Sequence, residues 1–280
     1  MKEFCEFRVD EEYAGLLFGP TEGTRLGESV RKIVLSTSDD RYPRVGQLQC
    51  ELLAKDRRPF FYGWDYKRAY SEGELEAAEL LLLVVTACFE PTGEECGTGY
   101  DDALRCKYCG AGRRQTTPLI LRTSRIPKGK DISRTLADEV VVSDRLALAL
   151  ESAGISGATL EPVQPMAHAR TSSKWHQLTP TSCSVTIVSP TRIGNGPFDG
   201  DAEGLYRCPL GHSAGLNLLS EVSVRRADLD GADLLGTRQF VGWPGGVFTA
   251  HPLLLMSAKF LAVLRALNVR GYTTEVVHCR

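Results

Sequence analysis

The residues of this chain best suited to chemistry form a Cys-x-x-Cys-Gly turn, Cys106-Lys107-Tyr108-Cys109-Gly110. Such a turn presents two thiolates side by side while its glycine relieves the backbone, and that is half of a tetrahedral zinc site. The other half must come from elsewhere in the chain. Cys208-Pro209-Leu210-Gly211-His212 begins 102 residues after Cys106. A second Cys-x-x-Cys would place its other ligand at Gly211, and the nearest side chain able to ligate is His212. The expected set is therefore Cys106, Cys109, Cys208 and His212. Cys96, in GEECGTGYDD, competes for the fourth place. Four protein ligands leave no open position for water, so the zinc expected here is structural. The His-x-Glu of zinc deaminases and the His-Glu-x-x-His of metalloproteases are both missing. A redox dithiol would follow a strand and open a helix, which this motif does not do.

The elements that position these ligands recur with them. Asp131 and Thr135 reappear as Asp233 and Thr237, in the same register as the two leading cysteines. Further on, VSDRLALALESAGISGATLEPV, from Val142, aligns without a gap with MSAKFLAVLRALNVRGYTTEVV, from Met256. The extra residues of the second copy fall around WPGGVFTAHP, a turn-rich loop where insertion costs little. Two copies make a duplicated unit rather than a solenoid. Each copy reads as strand, helix, strand. Val140–Val142 and Leu253–Met256 suit buried strands. Ser143 and Ser257 sit where an N-cap belongs. Leu146, Ala149, Leu150 and Ala153 keep helical spacing, as do Phe260, Val263, Leu264 and Leu267. Gly154 and Asn268 tolerate the left-handed turn at a helix end. The helical apolar positions are read as core.

Composition sets the outer limits. The 280 residues can bury a large core, and 42% apolar with 24% charged residues is ordinary for a folded protein. A formal net charge of −2 gives no global case for nucleic acid or an anionic membrane as partner. The longest apolar stretch, Ala77 to Cys88, is too short to span a bilayer, and MKEFCEFRVDEE lacks the apolar core of a signal peptide. Nine cysteines without such a signal suit metal binding in a reducing cytoplasm better than disulfides.

The expected fold class is α+β, with a β-rich N-terminal part followed by two zinc-knuckle/strand–helix–strand units. Boundaries are drawn at 1–95 for the N-terminal part, 96–163 for the first unit, 164–207 for a connector and 208–280 for the second unit. In the N-terminal part, Phe4–Val9, Lys32–Ser36, Gly46–Leu53 and Phe60–Tyr66 carry strand patterns. Ser71 and Glu74 can box the start of a short acidic helix, and Leu80–Phe89 reads as one buried strand. In the connector, Trp175–Leu178 and Ser184–Val188 read as strands. Cys5, Cys50, Cys88 and Cys183 are read as small hydrophobes. Cys279 and His278 lie at the frayed end, and His168, His176 and His251 stand in loop-like stretches. No catalytic constellation is read. The phosphate-loop and Gly-x-Ser-x-Gly patterns are missing.

Paired knuckles, one in each half, resemble the double-CXXCG family of myxobacteria. The resemblance is carried by Cys106-x-x-Cys109-Gly110, Cys208-x-x-x-His212 and the tails beginning at Ser143 and Ser257. It covers about 96 to 280. Some members of that family are described as immunity proteins against toxins delivered by kin. The resemblance thus implies a cytoplasmic, non-enzymatic protein that binds zinc and neutralises a protein partner, a toxin, by occlusion. Two other readings stand beside it. One is a zinc-ribbon nucleic-acid-binding or regulatory module, because Arg105, Lys107, Arg113, Arg114, Arg122 and Arg125 form a basic strip around the first knuckle. The other is an enzyme whose groups meet only in space.

Overall fold

The computed structural model describes residues 1–166, 174–212, 216–242 and 248–280. His168 lies outside the described residues. The chain is mixed α+β and rich in strands. It divides into two compact units. The first comprises Met1–Glu74 with Gly196–Gly200, and the second comprises Leu75–Asn195 with Asp201–Arg280. The first boundary thus falls at Glu74/Leu75, ahead of residue 95, because the next strand is central to a sheet of the second unit.

In the first unit, β1 (Lys2–Asp10), β2 (Thr24–Arg25), β3 (Val30–Ser36) and β4 (Phe61–Ala69) form an antiparallel sheet ordered β2-β3-β1-β4. Alternation along β1 buries Cys5, Phe7 and Val9 on one face. Helix α1 (Tyr42–Leu53) belongs to the same apolar core through Val45 and Leu48. Gly46–Leu53 is therefore helix and not the expected strand. Val45, Leu48 and Leu52 keep helical spacing, and Pro43 sits in the first turn, where its missing N–H costs nothing. Phe198 enters this unit with Gly196–Gly200. Its ring stacks on Phe7 with centroids 6.1 Å apart and lies against Gly46, where an added Cβ would meet the ring at 2.6 Å.

The second unit holds two five-stranded sheets. Its strands are β5 (Leu80–Val85), β6 (Cys88–Phe89), β7 (Ile132–Thr135), β8 (Val140–Ser143), β9 (Ala158–Pro162), β10 (Trp175–Pro180), β11 (Val222–Val224), β12 (Leu234–Val241), β13 (His251–Met256) and β14 (Tyr272–Cys279). Helix α2 (Asp144–Ser152) lies between β8 and β9 in the chain, and α3 (Ala258–Ala266) lies between β13 and β14. One sheet is ordered β9-β10-β8-β7-β6 and the other β11-β14-β5-β13-β12. Leu80–Phe89 is thus two strands in two sheets. β5 is buried on both faces, which explains its unbroken LLLLVV. The two helices share one core with Leu81, Ile132, Val142, Leu234 and Met256.

The two sheets are built by matching rules. Each contains a hairpin, β7–β8 or β12–β13, then a helix, then an outgoing strand, β9 or β14. Between hairpin and outgoing strand each sheet takes in a strand from outside that run, β10 from later in the chain and β5 from earlier. After β5 the chain crosses over, and β6 pairs in parallel with β7 of the other sheet. After β10 it crosses likewise, and Val185 bridges in parallel to Thr237 of β12. Ser184–Val188 makes such isolated bridges and is not the expected strand.

Local contacts match as well. Ser143 caps α2 by accepting from the Leu146 amide, and Ser257 caps α3 by accepting from that of Phe260. Each capping hydroxyl donates to an aspartate, Ser143 to Asp131 at 3.1 Å and Ser257 to Asp233 at 2.7 Å. Arg145 and Lys259 pair with the same two aspartates. Gly154 and Asn268 end the helices with φ of +61° and +50°. Gly157, at +76°, lies where a Cβ would be 2.3 Å from the Leu234 carbonyl oxygen. Gly271, at +114°, lies where one would be 2.1 Å from that of Ile132. Each outgoing strand therefore starts against the other sheet's hairpin.

Candidate metal centre

The first knuckle is the tip of a hairpin. Tyr100–Asp101 pairs antiparallel with Arg114–Gln115. At the tip the Cys106 amide donates to the Ala111 carbonyl at 2.6 Å, and the Gly110 amide returns to the Cys106 carbonyl at 2.9 Å. Gly110 and Gly112 have φ of +77° and +89°, which glycine adopts without strain. The Cys106 sulfur accepts from the amides of Cys109 and Tyr108, which push its thiol down to about 6. Burial pushes the Cys109 thiol the other way, up to about 12.

The second knuckle turns one residue sooner. Here the Gly211 amide bonds back to the Cys208 carbonyl at 2.9 Å, and Gly211 takes the left-handed conformation, φ +78°. A cysteine would be strained at that place. The side chain that reaches the group from this turn is that of His212, whose ring reaches further than a cysteine's sulfur. Its carbonyl accepts from the Phe240 amide at 2.8 Å, and Phe240 packs against the cluster formed by the three cysteines and Ala111.

The ligand atoms of Cys106, Cys109, Cys208 and His212 all lie within 4.8 Å of one another. The three cysteines are buried and His212 is exposed. The Cys106 and Cys208 sulfurs are 3.7 Å apart, and Cys208 Sγ is 3.8 Å from His212 Nδ1. Thiolates about 2.3 Å from a tetrahedral zinc are separated by ~3.8 Å, so this set fits a metal ion. A cation among the sulfurs would also remove the penalty that burial sets on the Cys109 thiolate. Cys96 does not belong to the group. It closes the single turn Glu94–Cys96, where burial raises its thiol. The sulfur expected as an alternative fourth ligand is thus not among the four atoms that meet.

The other singled-out residues are placed apart. His176 lies in β10 and His251 opens β13, so neither stands in a loop. His278 pairs with Glu221 at 2.9 Å. The structure also gathers residues that the sequence did not mark. Asp138, Glu139, Tyr100, Gln177 and His251 line a cleft of about 590 Å³ beside the first knuckle. Asp138 has φ +62° at the β7–β8 turn, and burial raises its carboxyl pKa. It lies 3.3 Å from both Arg134 Nη1 and His251 Nε2. Glu139 accepts from the Tyr100 hydroxyl at 2.5 Å and from the Gly93 amide, and Gln177 exchanges two hydrogen bonds with Gln115. The sequence marks only an aspartate in a turn, Asp138, and nothing in it ties that residue to a histidine so far downstream.

No helix among the described residues is long and apolar enough to cross a membrane. No protein-family model matches the chain, and no curated protein matches its sequence.

Proposed function

We propose that Cys106, Cys109, Cys208 and His212 hold a structural zinc ion that joins two copies of a duplicated unit. The metal would thus sit in a cytoplasmic, non-enzymatic binding protein. The observation that carries this reading is the convergence of four ligand atoms from two knuckles 102 residues apart. The matching hairpins, caps and crossed strands support duplication. Three buried sulfurs and a complete ligand set leave the metal a joining role. The polar groups of the neighbouring cleft are bonded to one another, an arrangement that suits structure better than turnover. Zinc analysis of the purified chain tests the centre. One zinc per chain is expected, and Cys106→Ser and Cys208→Ser should each lose it. Full zinc content in Cys208→Ser would sink the bridging model.

The partner is proposed to be a toxin, as in the immunity proteins of the double-CXXCG family. The paired knuckles support this reading. The probe is a purified toxin-type protein encoded beside the gene for this chain. A stoichiometric complex in calorimetry, with protection on co-expression, is expected. Toxicity undiminished by co-expression would refute it.

A further inference from the structure

The groove beside the first knuckle has a composition that the metal does not explain. It encloses about 470 Å³ and is lined by Arg105, Lys107, Tyr108, Arg113 and Phe248, among others. Tyr108 is 52% exposed and Phe248 49%. Only four aromatic side chains among the described residues are exposed, the others being Tyr62 at 51% and Phe198 at 38%. Two of the four therefore share one groove, whereas apolar groups exposed singly need no explanation. Lys107 Nζ stands over the Tyr108 ring, 4.9 Å from its centroid, so a cation rests on one face of this half-exposed ring.

The charges here run against the chain's acidic balance. Residues 102 to 114 carry Arg105, Lys107, Arg113 and Arg114 against Asp102 alone. Arg113 is already taken. It is 2.7 Å from Glu94 and 3.1 Å from Asp102, and it lies over the Tyr100 ring. Arg105 is 48% exposed with only a loose 3.8 Å pairing to Asp102. Two cations thus remain to meet an anion, Arg105 and Lys107. The adjoining cleft shares Arg105, Arg113 and Thr249 with the groove but bears Glu94, Glu95, Asp138 and Glu139. Those carboxylates close that direction to a polyanion, so the footprint is short.

Half-exposed aromatic rings beside two available cations recognise a planar base linked to phosphate. We propose that this groove binds nucleotide phosphates, with a base stacked on Tyr108 and Phe248 and phosphate oxygens on Arg105 and Lys107. Free nucleotides and single-stranded nucleic acid share that chemistry. Arg122 and Arg125 take no part, since they line a separate hollow with Glu90 and Glu95. The groove shares its wall with Cys106 and Cys109 of the candidate metal centre and rests on no reading of a protein partner.

Fluorescence anisotropy with a labelled thymidine hexanucleotide tests it on the full chain. Two phosphate contacts on a single strand predict a log K against log salt slope of about −1.4, and Lys107→Ala should bring it to about −0.7. Tyr108→Ala should weaken binding roughly 5- to 150-fold, the range for loss of one stacked base, and Tyr108→Phe should restore it. Competition by adenosine monophosphate distinguishes the sources. Full displacement identifies a free-nucleotide site and no displacement a strand site. Phe248→Ala, outside both ligand turns, carries the test should Tyr108→Ala lower the melting temperature. No binding of the hexanucleotide at low salt would overturn the proposal. So would binding that ignores Lys107→Ala and Phe248→Ala.

Discussion

Replacing Cys208 with serine would remove one corner of the proposed metal tetrahedron and should release one knuckle from the other. The scale of the effect follows from chain connectivity. Cys106 and Cys208 are 102 residues apart. A cross-link closing a loop of about 100 residues removes unfolded-chain entropy worth about 4.7 kcal/mol at 25 °C. For a unit of roughly 200 residues each kcal/mol shifts the melting temperature by ~2–4 °C, so a loss of roughly 9–19 °C is expected. Thermal unfolding by circular dichroism in zinc-buffered solution measures it. A chelator should lower the wild-type midpoint to that of Cys208→Ser and leave the variant unmoved. Cys50→Ser, at an exposed cysteine outside the cluster, is the control and should change neither quantity. A wild-type midpoint indifferent to chelator would refute the reasoning. So would a Cys208→Ser protein that melts with the wild type.

Gly211→Cys recreates a Cys-x-x-Cys on paper, yet Gly211 has φ +78°, so the variant is expected to lose ~1–2 kcal/mol in denaturant titration and to gain no metal affinity. Gly157→Ala should destabilise by at least ~2 kcal/mol, because its Cβ would stand 2.3 Å from the Leu234 carbonyl oxygen at positive φ; an unchanged denaturation midpoint would contradict this contact. Asp233→Asn should cost about 1–3 kcal/mol at neutral pH by removing a buried acceptor of bonds from Ser156, Ser257 and Lys259. Burial raises the Asp233 pKa, but those donors outweigh it and hold the carboxyl below its ordinary 3.8. The carboxylate's contribution is therefore present above pH 3.8 and fades as pH falls through the lower folded value, so wild type and variant should converge in acid. Parallel pH profiles of the two proteins would argue against it.

The candidate site was largely legible because metal ligation imposes a local signature. Cys-x-x-Cys-Gly needs one turn, and the recurrence of Cys208 in register with Asp233 and Thr237 pointed to its partner. His212 followed as the nearest side chain able to ligate. The helix caps at Ser143 and Ser257 and the left-handed ends at Gly154 and Asn268 were equally local, and they stand where the pattern placed them. Pairing across long separations was not legible. Leu80–Phe89 read as one strand because hydrophobicity records burial and not the identity of the neighbour. The break at Thr86-Ala87, where the chain passes between sheets, carries no glycine or proline. Gly46–Leu53 read as a strand because its apolar residues satisfy alternation nearly as well as helical spacing. Proline at position 43 was the discriminating residue. The cleft at Asp138 and His251 was invisible because its two ends are held together only by the meeting of the hairpins.

The crossed central strands govern the order in which this chain can fold as it is made. β5 pairs with nothing near it in sequence. Leu82 awaits Leu255 and Leu81 awaits Val276. At ribosomal rates of about 5–20 residues per second, those partners emerge roughly 10–40 s after the strand itself. Throughout that interval six consecutive aliphatic residues, LLLLVV, are made and unpaired. Such a segment, β-prone and uncharged, is a template for aggregation. The first sheet can close its own hairpin and receive β10 long before β14 exists. The second sheet must be completed last, around a strand that was among the first of its unit to be synthesised. A nascent chain stalled before α3 should therefore recruit holdase chaperones at Leu80–Val85, and one released after β14 should not.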